Sequence, residues 1–321
     1  MKTNSKVILL CLPLFLSSCS LSAKKSYPVS DYRSTLPFKD NFKIMQLTDL
    51  HFSVQSDYKR VTNYLSLNIR SCNPNLIILT GDTFMDSSKN VVDNVLNFID
   101  SFNIPFAFTY GNHDKQGTYG ADYINAYLSK TRNSLLRDYS DDVLFGDANY
   151  FIDLMEGKNT KYRLYIIDSN TYHFNGINFD YDVIHDDQIT HLEEIEQSEG
   201  KVPSLAFYHI PLYEADDAYL EVEAGKITEY KGKNFEKRAV GYKRTDAFTR
   251  MKNIGVIGHF YGHDHINYTD IMYEGVTLSY GVKSTPEIYN NEDLLGYKTI
   301  TLKYDMNYDL TNIESVVVPY E

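Results

Sequence analysis

The segment at residues 41–51, NFKIMQLTDLH, closes an apolar run with two side chains of metal-binding type. Asp49 and His51 lie two residues apart, and positions i and i+2 of an extended chain point the same way. A carboxylate and an imidazole on one side of a strand end suit a divalent transition metal. Asp and His also share turns by chance, so this pair alone is weak evidence. The same arrangement, however, follows four later apolar runs.

The four later segments carry glycine, carboxylate, amide and imidazole groups in short clusters. They are Gly81-Asp82, Gly111-Asn112-His113-Asp114, His209 and Gly262-His263-Asp264-His265. Each has an ordinary structural interpretation, because Gly-Asp is a common turn, Asp82 could cap a helix and His209 alone could be a core histidine. Open α/β sheets bind ligands outside the carboxyl ends of their strands. All five segments occupy that position, which favours one shared site.

The elements that must position these groups alternate between strand-like and helix-like patterns. Apolar runs predict strands at 42–48, 76–80 and 105–110, and helical spacing predicts helices at 61–71 and 91–102. This alternation requires crossover connections and predicts a largely parallel sheet. Further strands are predicted at 150–155, 162–168, 204–209 and 254–261, helices from Asp186 and over 245–252, and a β meander over 268–318.

Composition limits the class of partner. The chain has 321 residues, 43% of them hydrophobic, which is enough for one large domain. Its formal net charge of -12 argues against a protein that binds the nucleic-acid backbone through overall positive charge, and no nucleic-acid partner is expected. A local cationic pocket for a small anion remains open. Residues 213–242 have few apolar side chains and several basic ones, so they form either an anion-contacting lid or a solvated loop.

The N-terminal residues are typical of a signal peptide. Lys2 and Lys6 flank an apolar run at 7–16 that is too short to span a bilayer. The next residues, Leu16-Ser17-Ser18-Cys19, resemble the lipobox of bacterial lipoproteins, in which the Cys is lipidated. The resemblance predicts a signal peptide at 1–19, a lipid anchor on Cys19, a tether at 20–40 and a location on the extracytoplasmic face of the cell membrane. An ordinary secretory signal is the alternative. Cys72 is expected to be a packing residue.

In order and in local spelling, the five motifs resemble the calcineurin-like metallophosphoesterase family over residues 41–284. The resemblance predicts an α/β domain at 41–321 with the four-layer sandwich of that family, two mixed β-sheets flanked by α-helices. It also implies a dinuclear centre of divalent transition metals, either Mn, Fe or Zn. The implied ligands are Asp49, His51 and His265 for the first ion, Asn112, His209 and His263 for the second, and Asp82 as the bridge.

His113 matches the family position that faces the phosphate without binding metal. The resemblance therefore implies that His113 stabilises developing charge and acts as general acid. Asp114 is interpreted either as a residue behind the ligands or as a turn residue. Met85 stands where purple acid phosphatases carry a tyrosine, so an iron–tyrosinate site is not expected. Asp86-Ser87-Ser88 does not match the protein serine/threonine phosphatases.

The implied activity is metal-dependent hydrolysis of a small phosphate ester, with monoester and diester both left open. No obligate protein partner is inferred. The alternative is a non-catalytic, metal-binding surface lipoprotein. Family members that lose activity usually lose ligands, whereas this chain retains all seven and His113. A metal-scavenging lipoprotein would be expected to have an open single site instead.

Overall fold

A computed structural model describes residues 28–137, 144–304 and 312–320. The predicted signal peptide and Cys19 lie outside these residues, so the lipid anchor stays a prediction. Within the described ranges, no helix has the length and apolarity needed to cross a membrane. The described α-helices are α1 (Tyr58–Cys72), α2 (Lys89–Asp100), α3 (Ala121–Leu128), α4 (Asp186–Glu199), α5 (Tyr213–Glu223) and α6 (Ala247–Asn253).

The described residues form fifteen strands. They are β1 (Arg33–Pro37), β2 (Phe42–Leu47), β3 (Leu76–Thr80), β4 (Phe106–Thr109), β5 (Tyr150–Glu156), β6 (Asn159–Ile166), β7 (Tyr172–Phe174), β8 (Phe179–Tyr181), β9 (Ser204–Phe207), β10 (Tyr230–Lys231), β11 (Val256–Tyr261), β12 (Asp270–Tyr273), β13 (Val276–Tyr280), β14 (Gly296–Leu302) and β15 (Ile313–Val317).

Two mixed sheets contain all of these strands except β7 and β8, which form a separate hairpin. The smaller sheet has the order β15-β14-β2-β3-β4, and its strands β2, β3 and β4 are parallel. The larger sheet has the order β1-β5-β6-β9-β11-β13-β12-β10, with β6, β9, β11 and β13 parallel. The parallel centres agree with the alternation in the sequence, because parallel neighbours need crossover connections.

The two sheets share one hydrophobic core and are covered by helices. Helix α1 packs on β14 of the smaller sheet, while α5 and α6 pack on β12 and β11 of the larger one. Between the sheets, the Tyr150 hydroxyl donates to the Phe108 carbonyl at 3.0 Å, and the Gln46 side-chain amide donates to the Tyr261 carbonyl at 3.2 Å. These contacts satisfy buried polar groups where the sheets face each other. The arrangement confirms the predicted sandwich of two mixed sheets flanked by helices.

The first helix begins three residues before the predicted start at residue 61. The Asp57 side chain accepts a hydrogen bond from the Arg60 amide at 3.1 Å and caps the N-terminus. Asn73 ends the helix in the left-handed conformation, at φ 48°. Both caps satisfy backbone groups that the helix itself leaves unpaired. Cys72 is buried at the last helical position, as predicted, and burial raises the pKa of its thiol to about 11.

The predicted tether at 20–40 is wrong for residues 29–37. Val29–Tyr32 forms a 3₁₀ turn, and β1 pairs in parallel with β5 at the edge of the larger sheet. The Tyr32 ring is buried, and the Arg33 guanidinium lies 2.8 Å from the carboxylate of Asp153. The polar composition of this stretch concealed its structure because its partners lie more than a hundred residues away in the chain.

The predicted β meander over 268–318 has the wrong topology. Strands β12 and β13 form a hairpin in the larger sheet, and β13 also pairs in parallel with β11. The chain then crosses to the smaller sheet, where β14 lies between β15 and β2. In the crossing segment, Lys283 forms an isolated parallel β-bridge with Thr48 at the end of β2. A period of two identifies strands, but it does not identify the sheet that each strand joins.

The segment at 213–242 is partly regular rather than structureless. Helix α5 forms its first part and buries Ala215 and Ala218, and β10 pairs antiparallel with β12. The sequence interpretation relied on large apolar side chains and therefore missed a helix that packs through alanines.

Candidate metal centre

Five strand ends bring the seven predicted ligands to one place. In the smaller sheet, Asp49 and His51 follow β2, Asp82 follows β3 and Asn112 follows β4, while in the larger sheet His209 follows β9 and His263 and His265 follow β11. Parallel strands end at one edge of their sheet, and the two sheets meet along that edge. All seven side chains are buried there.

Four of these residues adopt the left-handed backbone conformation, which is uncommon for residues with a side chain. The φ angles are 55° at Asp49, 51° at His51, 50° at Asp82 and 78° at His263. Each such residue costs on the order of 1–3 kcal/mol and persists only where the surrounding structure enforces it. The sharp turns return these side chains to the strand ends. Strained conformations of this kind concentrate at functional sites.

The first group of ligand atoms comes from Asp49, His51 and His265. The Nε2 atoms of the two imidazoles are 3.0 Å apart. The Asp49 Oδ1 atom lies 3.6 Å from Nε2 of His51 and 3.4 Å from Nε2 of His265. Two ligand atoms that each lie about 2.0–2.1 Å from the same tetrahedral ion are separated from each other by distances similar to these three. The three atoms therefore have the spacing of a metal-binding set.

The second group consists of Asp82, His209 and His263. The Asp82 Oδ2 atom lies 3.2 Å from Nε2 of His209 and 3.7 Å from Nε2 of His51, a member of the first group. Asp82 is therefore the one carboxylate among these residues whose oxygen reaches both groups. Two nearby cations would need an anion between them, and the position of Asp82 between the two groups would suit that role.

Several buried polar atoms face this region without a hydrogen-bond partner among the described residues. They are Oδ1 of Asp49, Oδ1 of Asn112, Nε2 of His209 and Nε2 of His263. An unsatisfied buried donor or acceptor costs about 1–3 kcal/mol. Bound cations would satisfy these atoms by accepting their lone pairs. The donor set of nitrogen and oxygen atoms fits divalent transition metals.

Two of the imidazoles are oriented by backbone carbonyls. The Nδ1 atom of His209 lies 2.9 Å from the Thr80 carbonyl, and that of His265 lies 2.9 Å from the Tyr289 carbonyl. A carbonyl only accepts, so each Nδ1 carries a proton and each Nε2 is the nitrogen left available to a metal ion. This outer hydrogen bond is the usual means of fixing the tautomer of a metal-binding histidine.

The protonation states at the site are set by burial and by the opposed charges. Burial lowers the pKa of His51 and of His263 to about 3, so both are neutral at pH 7. Burial acts to raise the pKa of Asp49, but the neighbouring imidazoles of His265 and His51 outweigh it and hold that pKa well below its usual range. Burial opposes charge on His209 too, but the Asp82 carboxylate raises its pKa to about 10. A cation binding there would displace that proton.

Asp114 joins the loops that follow β3 and β4. Its carboxylate accepts hydrogen bonds from the amides of Asp82 at 2.8 Å, Phe84 at 2.8 Å and Gly111 at 2.7 Å. A Cβ atom at Gly111 would collide with the Asp82 carboxylate, so the glycine permits this close approach. Asp114 therefore lies behind the ligands and fixes the loop from which Asp82 projects.

His113 lies beside the two groups but differs from the predicted ligands in being only half-buried. Its backbone amide donates to Oδ1 of Asp82 at 2.8 Å. Its Nδ1 atom lies 3.0 Å from Oε1 of Gln116, which orients the ring. The ring centroid is 5.4 Å from that of His51. His113 thus stands at the accessible side of the centre.

Three residues that support the site were missed in the sequence. The Lys283 ammonium donates to the Asp49 carbonyl at 2.8 Å, and the Thr285 hydroxyl donates to the Leu50 carbonyl at 2.7 Å. The Ser284 hydroxyl accepts from the Thr48 amide at 3.1 Å. All three side chains are buried and brace the left-handed turn after β2. The only sequence signal was a polar triplet directly after an apolar strand.

Replacing Lys283 by methionine should weaken metal binding about 10–100-fold, the usual effect of losing a residue that orients a ligand. The change removes the donor that holds the Asp49 carbonyl but preserves most of the side-chain volume. Titration calorimetry with Zn²⁺ or Mn²⁺ measures the effect.

The matched control is Lys298→Met. Lys298 is also fully buried, but it binds the Asp270 carboxylate and, at 2.8 Å, the Ser279 hydroxyl, away from the ligands. That variant should unfold at a lower temperature and keep its metal affinity. Equal loss of metal affinity in both variants would contradict the role of Lys283.

A sequence model of the calcineurin-like phosphoesterase family matches residues 42–267, a range that contains all five motifs. The chain belongs to this family, and the predicted resemblance is confirmed.

Its relatives include phosphatases and proteins named as inactive. The chain is 26% identical over 298 residues to "Probable inactive purple acid phosphatase 29" of Arabidopsis thaliana, a match that covers 79% of this chain and 75% of that protein. It is 27% identical over 260 residues to the phosphatase DCR2 of Saccharomyces cerevisiae, covering 70% of this chain and 44% of the yeast protein.

Among solved structures, the fold is similar to that of a dimetal phosphatase from Danio rerio. The TM-score is 0.52 at 10% identity, and the match covers 83% of this chain and 94% of the other. At this identity the likeness supports the fold alone.

Proposed function

We propose that this protein hydrolyses small phosphate esters at a dinuclear metal centre. The observation that carries the proposal is the pair of ligand groups that share Asp82, with unpartnered lone pairs facing the gap between them. The first ion would be held by Asp49, His51 and His265, and the second by Asn112, His209 and His263. Mn, Fe and Zn fit this mixture of nitrogen and oxygen donors better than Ca.

Two bound dications would lower the pKa of a shared water and neutralise the charge on phosphoryl oxygens. The residues of the chain contribute position and a proton. Asp82 would offset the repulsion between the two cations. Its carboxylate also accepts a hydrogen bond from the His113 amide, which fixes the backbone of that histidine. Hydrolysis transfers the phosphoryl group to water and breaks the bond to the leaving oxygen, which then needs a proton. The His113 imidazolium would supply that proton.

Turnover of two chromogenic substrates by the purified protein tests the proposal. We expect hydrolysis of nitrophenyl phosphate, of bis-nitrophenyl phosphate or of both to depend on added Mn²⁺ or Zn²⁺ and to disappear with a chelator. The ratio of the two rates separates a monoesterase from a diesterase. A protein that binds no transition metal at micromolar concentrations would contradict the proposal.

The name of the Arabidopsis relative supports a second candidate, a non-catalytic metal-binding protein. The same measurements distinguish the two candidates. Two metal ions bound per chain, with no turnover of either chromogenic ester or of a panel of natural phosphate esters, would favour the non-catalytic protein. The retention of seven ligand-type residues and His113 favours the enzyme.

A further inference from the structure

A cleft of about 590 Å³ opens beside the metal centre, between the hairpin β7–β8 and the loop at 237–242. The hairpin touches two predicted ligands of the second ion. The Tyr172 hydroxyl accepts from Nδ2 of Asn112 at 3.0 Å, and the Tyr181 ring meets the His263 ring edge-on at 4.2 Å. A phosphate at the metal centre would therefore direct its organic group into this cleft.

We infer that the cleft binds a flat aromatic group of the size of a nucleobase, so that the preferred substrate is a nucleoside phosphate. The inference rests on the proposed hydrolysis of phosphate esters. Five aromatic side chains line the cleft: Tyr172, Phe179, Tyr181, Tyr213 and Tyr242. Phe179 is 70% exposed and Tyr172 38%, and the Tyr172 hydroxyl contacts the buried centre through Asn112. Exposed rings beside a phosphate site are the usual platform for stacking a base.

The two walls of the cleft are fixed to each other. The Tyr242 amide donates to the Tyr181 carbonyl at 2.7 Å, and the Tyr242 ring stacks on the His173 ring with centroids 3.8 Å apart and planes 8° apart. A binding site prepared in this way loses less conformational freedom when a ligand orders it. The cleft is therefore a formed pocket between two connected walls.

The loop wall is also fastened to the motif that carries His263 and His265. The Asn267 side-chain carbonyl accepts from the amides of Phe235 at 2.9 Å and of Glu236 at 3.1 Å. The Asp264 carboxylate accepts from the Ala239 amide at 3.2 Å. The sequence left open whether residues 213–242 form an anion-contacting lid or a solvated loop. These contacts favour a segment that contacts the substrate, but as a fixed wall rather than a mobile lid.

The charges of the cleft favour one phosphate with a neutral organic group over a polyanion. Arg238 is paired with the Asp216 carboxylate at 2.7 Å and lies over the Tyr219 ring. Asp180 adds a further negative charge to the lining. Lys237 is exposed and forms no ion pair with any residue that the structure describes. With one cation free, the lining lacks the basic cluster that binds polyphosphates or phosphoproteins.

The test compares two esters of similar charge, adenosine 5′-phosphate and glycerol 3-phosphate. In the full-length metal-loaded protein, Phe179→Ala and Tyr242→Ala should each lower kcat/KM for the nucleotide about tenfold, the loss expected for one stacking partner. The same variants should change kcat/KM for glycerol 3-phosphate less than about twofold, because that ester leaves the aromatic walls empty.

The control variant is Tyr304→Ala. Tyr304 is 45% exposed and its ring packs on Phe38, and neither residue lines the cleft. This variant should leave kcat/KM for both esters unchanged. Equal loss for both esters in the cleft variants, or no loss for the nucleotide, would overturn the inference.

Adenosine binding, measured by calorimetry, separates a failure of this inference from a failure of the proposed function. If the protein hydrolyses neither of these esters and neither nitrophenyl substrate, the phosphoesterase proposal fails. The cleft assignment is then supported if adenosine binds and Tyr242→Ala weakens that binding about tenfold. It is overturned if adenosine does not bind at millimolar concentrations.

Discussion

The Asp82→Asn protein should lose affinity for both metal ions together, by more than about 100-fold, beyond the range for residues that only orient a ligand. The substitution preserves the shape of the side chain but removes the negative charge that both ligand groups approach. The Asp82 Oδ2 atom lies 3.2 Å from His209 and 3.7 Å from His51, so neither group would be spared. Elemental analysis after equilibration with limiting Mn²⁺ or Zn²⁺ gives the occupancy of each variant.

Asp168→Asn provides the matched control. Asp168 is a fully buried carboxylate at the end of β6 that pairs with Lys115 at 2.7 Å and accepts from the Asn170 amide at 2.7 Å. Its loss should lower stability without changing the metal content. Loss of one metal ion in Asp82→Asn, with the other ion retained at full affinity, would contradict the bridging role.

His113→Ala should retain both metal ions and lose about 10²–10⁴-fold in turnover, the range for general acid catalysis. The backbone amide that binds Asp82 is unaffected by this change, so the ligand set should keep its geometry. The loss should be larger for an alkyl phosphate than for nitrophenyl phosphate, because nitrophenolate leaves with less need for a proton. Steady-state kinetics with both esters measure the difference.

Gln116→Ala is the corresponding control for orientation. The Gln116 side chain holds the His113 ring at 3.0 Å but does not reach the ligand atoms of either group. We expect a smaller loss of turnover and unchanged metal content. If His113→Ala loses a metal ion, His113 is a ligand and the assignment of its role is wrong.

The backbone at the site explains why these residues depend on distant parts of the chain. Asp49 and His51 both adopt the left-handed backbone conformation. Lys283 and Thr285, which follow β13, donate hydrogen bonds that hold the turn containing them. The Gly262 position allows a second close contact, since a Cβ atom there would collide with the Thr48 hydroxyl. Strain of this kind is maintained by the fold as a whole.

Local sequence patterns were sufficient to predict the class of fold and the residue types at the candidate site. Asp49 and His51, the Gly-Asp pair and the two histidines at 263 and 265 each follow an apolar strand, so their positions at strand ends can be read locally. The alternation of strands and helices predicted that the centre of each sheet is parallel, because a helix between two strands forms a crossover connection and such connections join parallel strands. Together these local features identified the family. The structure brings six of the candidate ligands together in two groups, and Asn112 follows the neighbouring strand β4.

Tertiary structure alone decided which distant segments support that site. Residues 33–37 form an edge strand because β5 offers them hydrogen-bonding partners, and β14 belongs to the smaller sheet because it pairs with β2. The Lys283 brace and the Tyr172–Tyr181 hairpin depend on contacts with Asp49 and Asn112 across more than fifty residues of sequence. Local periodicity reports burial and element type, whereas the partner of a strand or a buried lysine is chosen only when the whole core packs.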